Sequence, residues 1–266
     1  MSARYAGYQA LKIGQVGHVL TVTLDNPPMN GMTPEGHEEL TRVWADIGAD
    51  PAVRVVVFTG AGDRAFCAGG DPRKMVDNWG NRERWQVGMA EARAIIVGML
   101  ECPKPVIARI NGHAMGLGAS LALACDITVM VEDARIADSH VSVGLAAGDG
   151  GSLLWPSLIG LVEARRHLLT GEPLTGAQAA AKGLITESVA RDDLDSAVQR
   201  WIEVFLSKSP SAVQTTKQAL NLDVLVKAKA WMDEMLRLET KSWASPNHRE
   251  AVVAMIDKRP ATFIDE

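Results

Sequence analysis

"NGHAMGLGASLALACDI", residues 111–127, follows the β-branched run "VIARI" (106–110) and passes through glycines 112, 116 and 118 into a stretch of helical composition. Glycine lets the backbone approach a ligand closely, and a helix entered from such a turn offers unpaired N–H groups and a favourable dipole. A second stretch of the same kind lies upstream. "AFCAGGDPRKM", residues 65–75, follows the run "VRVVVFTG" (53–60) and a turn. Two N–H groups from separate segments that converge on one point form an oxyanion hole, able to stabilise an enolate or a tetrahedral oxyanion in a dry site. Neither stretch is a nucleotide loop: "GLGAS" is not GxGxxG in a dinucleotide context and lacks the lysine of a phosphate loop.

The surroundings of both stretches alternate between strand and helix signals. "HVLTVTLD" (18–25) and "VRVVVFTG" read as strands, and "TPEGHEELTRVWADIGAD" (33–50) between them opens on a Thr-Pro helix start. "RERWQVGMAEARAIIVGML" (82–100) places Trp85, Met89, Ala92, Ile96 and Met99 at helical spacing and reads as core, before Pro103 and Pro105 break the pattern. "DITVMVE" (126–132) is a further strand. From residue 192 the composition turns to helical stretches, "DLDSAVQRWIEVFLSK", "SAVQTTKQALNL" and "VLVKAKAWMDEMLRLETKSW", punctuated by Ser-Pro at 209 and 245. The pattern is that of an α/β core followed by a helical region.

Composition narrows the function. The chain has 266 residues, 47% of them hydrophobic, which is enough to bury a substantial core. A net charge of -5 without long like-charge blocks gives no footprint for nucleic acid or an anionic membrane. Three cysteines (Cys67, Cys102 and Cys125) without CxxC spacing argue against a disulfide framework and a structural zinc site. No leader pattern and no long apolar span is visible, so the expected location is cytoplasmic.

The two glycine stretches together, with "NPPMN" near the first strands, resemble the crotonase superfamily, the enoyl-CoA hydratase/isomerase fold, and the likeness extends to the tail "DKRPATF". The resemblance implies a ClpP/crotonase-like spiral of strand-strand-helix units over residues 1–191. It also implies a C-terminal helical trimerisation region over 192–266 and a homotrimer or dimer of trimers. It assigns the hole's donors to the amides of Gly70 and Leu117. The implied substrate is a small-molecule acyl-CoA thioester, with coenzyme A as part of the substrate and no tightly bound cofactor or metal. Arg64, Ala65, Phe66, Ala68 and Asp71 match the positions near the adenine, and Lys258 in the tail is a further candidate. Arg73 and Lys74 are basic candidates for the phosphates, against the plainer role of solvated surface.

The sequence leaves the family pattern where chemistry is decided. Typical hydratases carry two glutamates, one as acid and one as base; the matched positions here hold Ser120 and His140. The turn "AAGDGG" (146–151) is similar to the family segment that borders the acyl pocket, and the resemblance implies that Asp149 lies near His140, where its carboxylate would fix the imidazole tautomer. An imidazole of ordinary pKa, about 6.5, would then be largely neutral near pH 7 and accept a proton. Without the family's match, His140 would read as a core or surface residue and Asp149 as a turn former. Ser120 would bind a water, contact the substrate or fill the helix. His113 reads as core or second to the site, Cys67 as no nucleophile, and His248 with Glu250 as part of a helix-capping region. The expected activity is proton transfer at an acyl-CoA, in hydration or double-bond migration. Two alternatives stand beside it: a carbon-carbon bond hydrolase of β-diketones that does not use coenzyme A, similar to 6-oxocamphor hydrolase in its His/Asp pair, and a non-catalytic family member.

Overall fold

A computed structural model describes residues 3–265. The chain opens with strands β1 (Leu11–Val16) and β2 (Val19–Leu24), an antiparallel hairpin turned at Gly17. Helix α1 (Pro34–Gly48) starts where Thr33 accepts a hydrogen bond from the Gly36 N–H, so the Thr-Pro signal acts as expected. The buried strand β3 (Val55–Gly60), strand β4 (Ala65–Cys67) and helices α2 (Pro72–Asp77) and α3 (Arg82–Glu101) follow. Next come β5 (Val106–Ile110), β6 (His113–Met115) and α4 (Leu117–Leu123), then β7 (Ile127–Val131), β8 (Arg135–Ala137) and the long helix α5 (Gly151–Thr170), kinked at Gly160.

Each turn of this series is strand, strand, helix. The hairpin β1/β2 and the first strand of each later pair, β3/β4, β5/β6 and β7/β8, join a sheet of order β1-β2-β3-β5-β7-β10, and the second strand of those later pairs joins a smaller sheet of order β4-β6-β8-β9. Strand β9 (Leu174–Thr175), helix α6 (Gly176–Ala181) and strand β10 (Glu187–Val189) close the spiral. The expected α/β spiral is therefore the observed fold. The rest is helical: α7 (Leu194–Leu206), α8 (Pro210–Trp243) and α9 (Pro246–Asp257). The two Ser-Pro pairs do not merely interrupt helices. Ser209 and Ser245 are N-caps, with Pro210 and Pro246 in the first turn, and the two stretches between them form one helix of 34 residues.

Packing between the layers is apolar and close. Phe58 meets Trp44 and Phe66 edge-on, with ring centroids 5.4 and 5.3 Å apart, beneath the large sheet's fully buried β3. In the small sheet, β4, β6 and β8 run parallel, with Cys67 beside Ala114 and Met115 beside Ala137. Parallel neighbours end on the same side. Gly70, Leu117 and His140, each two or three residues past the end of its strand, are therefore delivered to one edge of that sheet.

Candidate active site

The two glycine stretches meet at that edge. Gly69 adopts φ +74°, which only glycine takes without strain, and its carbonyl accepts from the Met32 N–H at 2.8 Å. A Cβ built on Gly69 would lie 3.6 Å from the Leu117 nitrogen, so the chains are in contact. Gly118 is required for a second reason: a Cβ there would collide with the Cys67 carbonyl, so α4 lies directly against the end of β4. Leu117 is the first residue of α4, where an N–H has no intrahelical acceptor, and among the described residues neither it nor the Gly70 N–H donates to the protein. Two amides without an acceptor among the described residues are thus carried by segments that touch at Gly69 and Leu117.

An imidazole borders this pair. His140 opens a short 3-10 turn (His140–Val143) rather than a strand, and a Cβ on Gly116 would lie 3.7 Å from its Cε1 and 4.0 Å from its Nε2. The ring is clamped from both sides. Its Nδ1 lies 2.7 Å from Asp138 Oδ1, which also accepts the His140 main-chain N–H at 3.2 Å; its Nε2 lies 3.3 Å from Asp149 Oδ2. The Ser120 hydroxyl, fully buried, donates to Asp149 Oδ1 at 3.3 Å.

Asp149 is therefore not the carboxylate that fixes the Nδ1 side; Asp138 is. Burial disfavours the imidazolium, but Asp149 and then Asp138 more than offset that cost and hold the His140 pKa well above its ordinary value. The expectation of an imidazole of ordinary pKa is thereby corrected, because Asp149 and a second carboxylate two residues upstream both favour the protonated ring. Asp149 is itself held below the usual carboxylate range: burial opposes ionisation, and the His140 charge outweighs it. Asp138, His140 and Asp149 present ligating atoms within 4.8 Å of one another. The two carboxylates lie at opposite ring nitrogens, the geometry of a hydrogen-bonded relay.

A third carboxyl completes the group. Glu239 of α8 lies on the buried stripe Met232, Leu236, Glu239, Trp243; its Oε2 is buried without a hydrogen-bond partner and would sit 2.7 Å from a Cβ on Gly148. Burial, and next the nearby Asp149 charge, push its pKa up to about 8. Its surroundings thus favour the protonated acid beside the turn that carries Asp149.

Comparison with known proteins decides the family. A family model described as enoyl-CoA hydratase/isomerase matches residues 14–266. The chain belongs to this enzyme family. Among the relatives of this enoyl-CoA hydratase/isomerase family member, the (E)-benzylidenesuccinyl-CoA hydratase of Thauera aromatica is 36% identical over 203 residues, covering 76% of this chain and 78% of that protein. The short-chain-enoyl-CoA hydratase of Clostridium acetobutylicum is 29% identical, over 91% of this chain and 93% of its own. A crystal structure of an enoyl-CoA hydratase/isomerase from Mycobacterium paratuberculosis superposes with a TM-score of 0.86 at 34% identity, over 92% of this chain and 97% of its own.

The structure separates the residues matched to coenzyme binding. Ala65 and Phe66 have buried side chains, so only their main chain could meet a ligand. Ala68 is half-buried, and Asp71 is exposed at the same end as Gly70, capping α2 through the Arg73 N–H at 2.9 Å. Arg64 lies at the opposite end of β4, in a cavity of about 250 Å³ with Asp63, His113, Asp133 and Arg191. Lys258 is exposed at the end of α9 with φ 54°, its N–H directed to the Ala254 and Met255 carbonyls. His113 Nδ1 accepts from the Arg135 N–H at 3.0 Å, and His248 Nδ1 is bound to the Val143 carbonyl. Cys67 is buried, with its thiol pushed up to about 11 by desolvation, which leaves it unreactive.

Sequence reasoning missed Asp138 and Glu239. Asp138 had a local signal, the aspartate of "ADSH" two residues before the histidine. Glu239 had a weaker one, an acidic residue on the apolar stripe of a helix almost a hundred residues further on.

Proposed function

We propose that the chain acts on a 2-enoyl-CoA thioester, holding the thioester oxygen on the Gly70 and Leu117 amides and moving protons through His140 and Asp149. The observation that carries this reading is the imidazole edge beside the Leu117 end of two unpartnered amides. As electron density shifts to the carbonyl, the fixed N–H dipoles stabilise the enolate without reorganising. In hydration, Asp149, ionised, takes a proton from water as the oxygen attacks the β-carbon. His140 Nε2–H gives its proton to the α-carbon, and the proton on Asp149 then returns to His140 across their 3.3 Å contact. Water is consumed, and both groups end as they began. Ser120 steadies the Asp149 carboxylate by its hydroxyl, and Asp138 keeps Nδ1 protonated so that Nε2 faces the site.

This assignment replaces the family's two glutamates with one imidazolium and one carboxylate. The coenzyme would lie along the Gly70 end of β4, with the Ala68 main chain and Asp71 nearest its adenine, and Arg73 and Lys74 of α2 toward its phosphates. The names of two relatives support a hydratase: one acts on a short-chain enoyl-CoA, the other on a benzylidenesuccinyl-CoA. The assembly we propose is a homotrimer or dimer of trimers built through residues 192–266 and α5. Exposed Leu161 and Val162 of α5, and Val226 and Trp231 of α8, are apolar surface suited to burial between copies. No helix among the described residues is long and apolar enough to cross a membrane.

A carbon-carbon bond hydrolase of β-diketones rests on the same His140–Asp149 contact and is separated by ligand choice. The test is loss of the enoyl chromophore of 2-enoyl-CoA esters, beside turnover of cyclic β-diketones, with wild type and His140→Gln. Hydration abolished in the variant supports the proposal. Diketone cleavage with no thioester turnover replaces it with the hydrolase.

A further inference from the structure

Beside the catalytic groups stands a hydrophobic cluster separate from the main core: Val143, Leu145, Trp243 and Val252, with Met75 and Trp85 packed on them. Three indoles meet here. Trp85 and Trp243 stack with centroids 4.9 Å apart and planes within 12°, and Trp79 tilts against Trp243 at 6.0 Å. The cluster borders the site at Gly70 and at His140. The Met75 terminal methyl lies 2.5 Å from where a Cβ on Gly70 would be, and the Leu145 N–H donates to the His140 carbonyl at 2.9 Å. Trp85 Nε1 donates to Thr240 Oγ1 at 2.9 Å, next to Glu239.

Met89, Ala90, Leu236 and Thr240 also line a cavity of about 400 Å³ between α3 and α8, whose remaining walls are polar: Gln86, Arg237 and the Arg93–Asp233 ion pair at 2.9 Å. Leu236 is one turn before Glu239 on the same stripe, so this space lies one helical turn along α8 from Glu239, and Trp85 is tied to its wall through Thr240. A straight alkyl chain needs no flat wall. A planar ring does, because its face and edge carry opposite partial charges and pair with indole in offset or edge-on geometry, and because a rigid ring loses little freedom when bound.

We propose that the acyl group bears an aromatic ring beyond the β-carbon and that Trp85, with the α3/α8 cavity beside it, is the ring's seat. The inference rests on the thioester reading above and names its substrate class. Trp85 is then a specificity-determining residue, and Met89 the floor of the space that the ring enters.

Saturated thioesters test this by binding alone, through calorimetry with coenzyme A, butyryl-CoA, octanoyl-CoA and 3-phenylpropanoyl-CoA. The phenyl ester is expected to bind roughly tenfold tighter than either alkyl ester. Trp85→Leu should erase that preference. Met89→Trp, which fills the cavity and leaves the stacked indoles in place, should weaken the phenyl ester and spare butyryl-CoA; circular dichroism checks that both variants fold. Octanoyl-CoA binding as tightly as the phenyl ester, or a ring preference that survives both substitutions, overturns the proposal and leaves the thioester reading intact. Failure of all four ligands to bind brings down the thioester reading, and this proposal with it.

Discussion

Asp138 holds His140 twice, through the ring Nδ1 at 2.7 Å and the main-chain N–H at 3.2 Å. The second bond fixes the carboxylate to the start of the 3-10 turn, so it meets the ring from a fixed position. Asp138 Oδ2 has no side-chain donor and lies against Gly151, at the positive end of α5. The imidazole is thereby oriented before any substrate arrives.

Asp138→Asn removes one of the two charges that keep His140 protonated. The His140 pKa should fall, and because the proposed proton donor is the imidazolium, the alkaline limb of the activity profile should move to lower pH. The expected loss in kcat at neutral pH is about tenfold to hundredfold. An NMR titration of the His140 Cε1 proton in wild type and variant reads the shift directly; an unchanged midpoint would remove Asp138 from the relay.

The same charges predict how stability depends on pH. His140 and Glu239 both have folded pKa values raised above their unfolded ones, the latter from 4.5 to about 8. Each therefore contributes stability that is complete below its unfolded value and is lost as pH rises through its folded value. Asp149 is lowered, so its contribution is present above its unfolded value of 3.8 and lost as pH falls through its folded value. The melting temperature should thus decline from pH 5 to pH 8. Glu239→Gln, which cannot ionise, should flatten that decline and melt about 2 °C or more above wild type at pH 8. Differential scanning calorimetry across this range checks it; parallel curves for the two proteins would show that Glu239 is ionised at neutral pH.

Much of this was legible in the chain, for identifiable reasons. β3, β5 and β7 announce themselves because strands covered on both faces are rich in β-branched and apolar residues, interrupted here only by Thr59, Gly60, Arg109 and Thr128. β1 does not, since Lys12 and Gly14 interrupt a strand with only Leu11 and Ile13 buried, and β9 has two residues. The amides of Gly70 and Leu117 were readable because they depend on backbone and glycine spacing. The charge state of His140 was not. It depends on Asp138 and Asp149 both reaching one ring, a three-dimensional fact that the nine-residue spacing from His140 to Asp149 only half discloses. Glu239 reaches the site through the packing of α8 on α3 and α5, which no local pattern encodes.

Asp149 and Ser120 should differ sharply on substitution. Asp149→Asn removes the proposed base and one of the charges on His140, and should lower kcat by about a hundredfold or more. Ser120→Ala deletes one neutral donor at 3.3 Å from a carboxylate that retains its imidazolium partner, which corresponds to roughly 1 kcal/mol and a loss of under about tenfold. Steady-state kinetics with a 2-enoyl-CoA distinguishes them. Equal losses would mean that the serine itself touches the reacting atoms.

Two glycine-to-alanine changes separate the backbone contact that forms the amide pair from ordinary helix propensity. At Gly118 a Cβ would collide with the main chain of Cys67, and neither β4 nor α4 can yield without parting the Gly70 and Leu117 amides. Gly118→Ala should therefore destabilise the protein by about 1–3 kcal/mol, as overpacking does, and abolish turnover in whatever fraction folds. Gly88, inside α3, has nothing within 4 Å of the same added methyl, so Gly88→Ala should stabilise the helix by about 0.5–1 kcal/mol and leave turnover unchanged. Urea unfolding with parallel assays measures both. A Gly118→Ala protein as stable and active as Gly88→Ala would show that α4 does not rest on the end of β4, and the oxyanion hole would lose its structural basis.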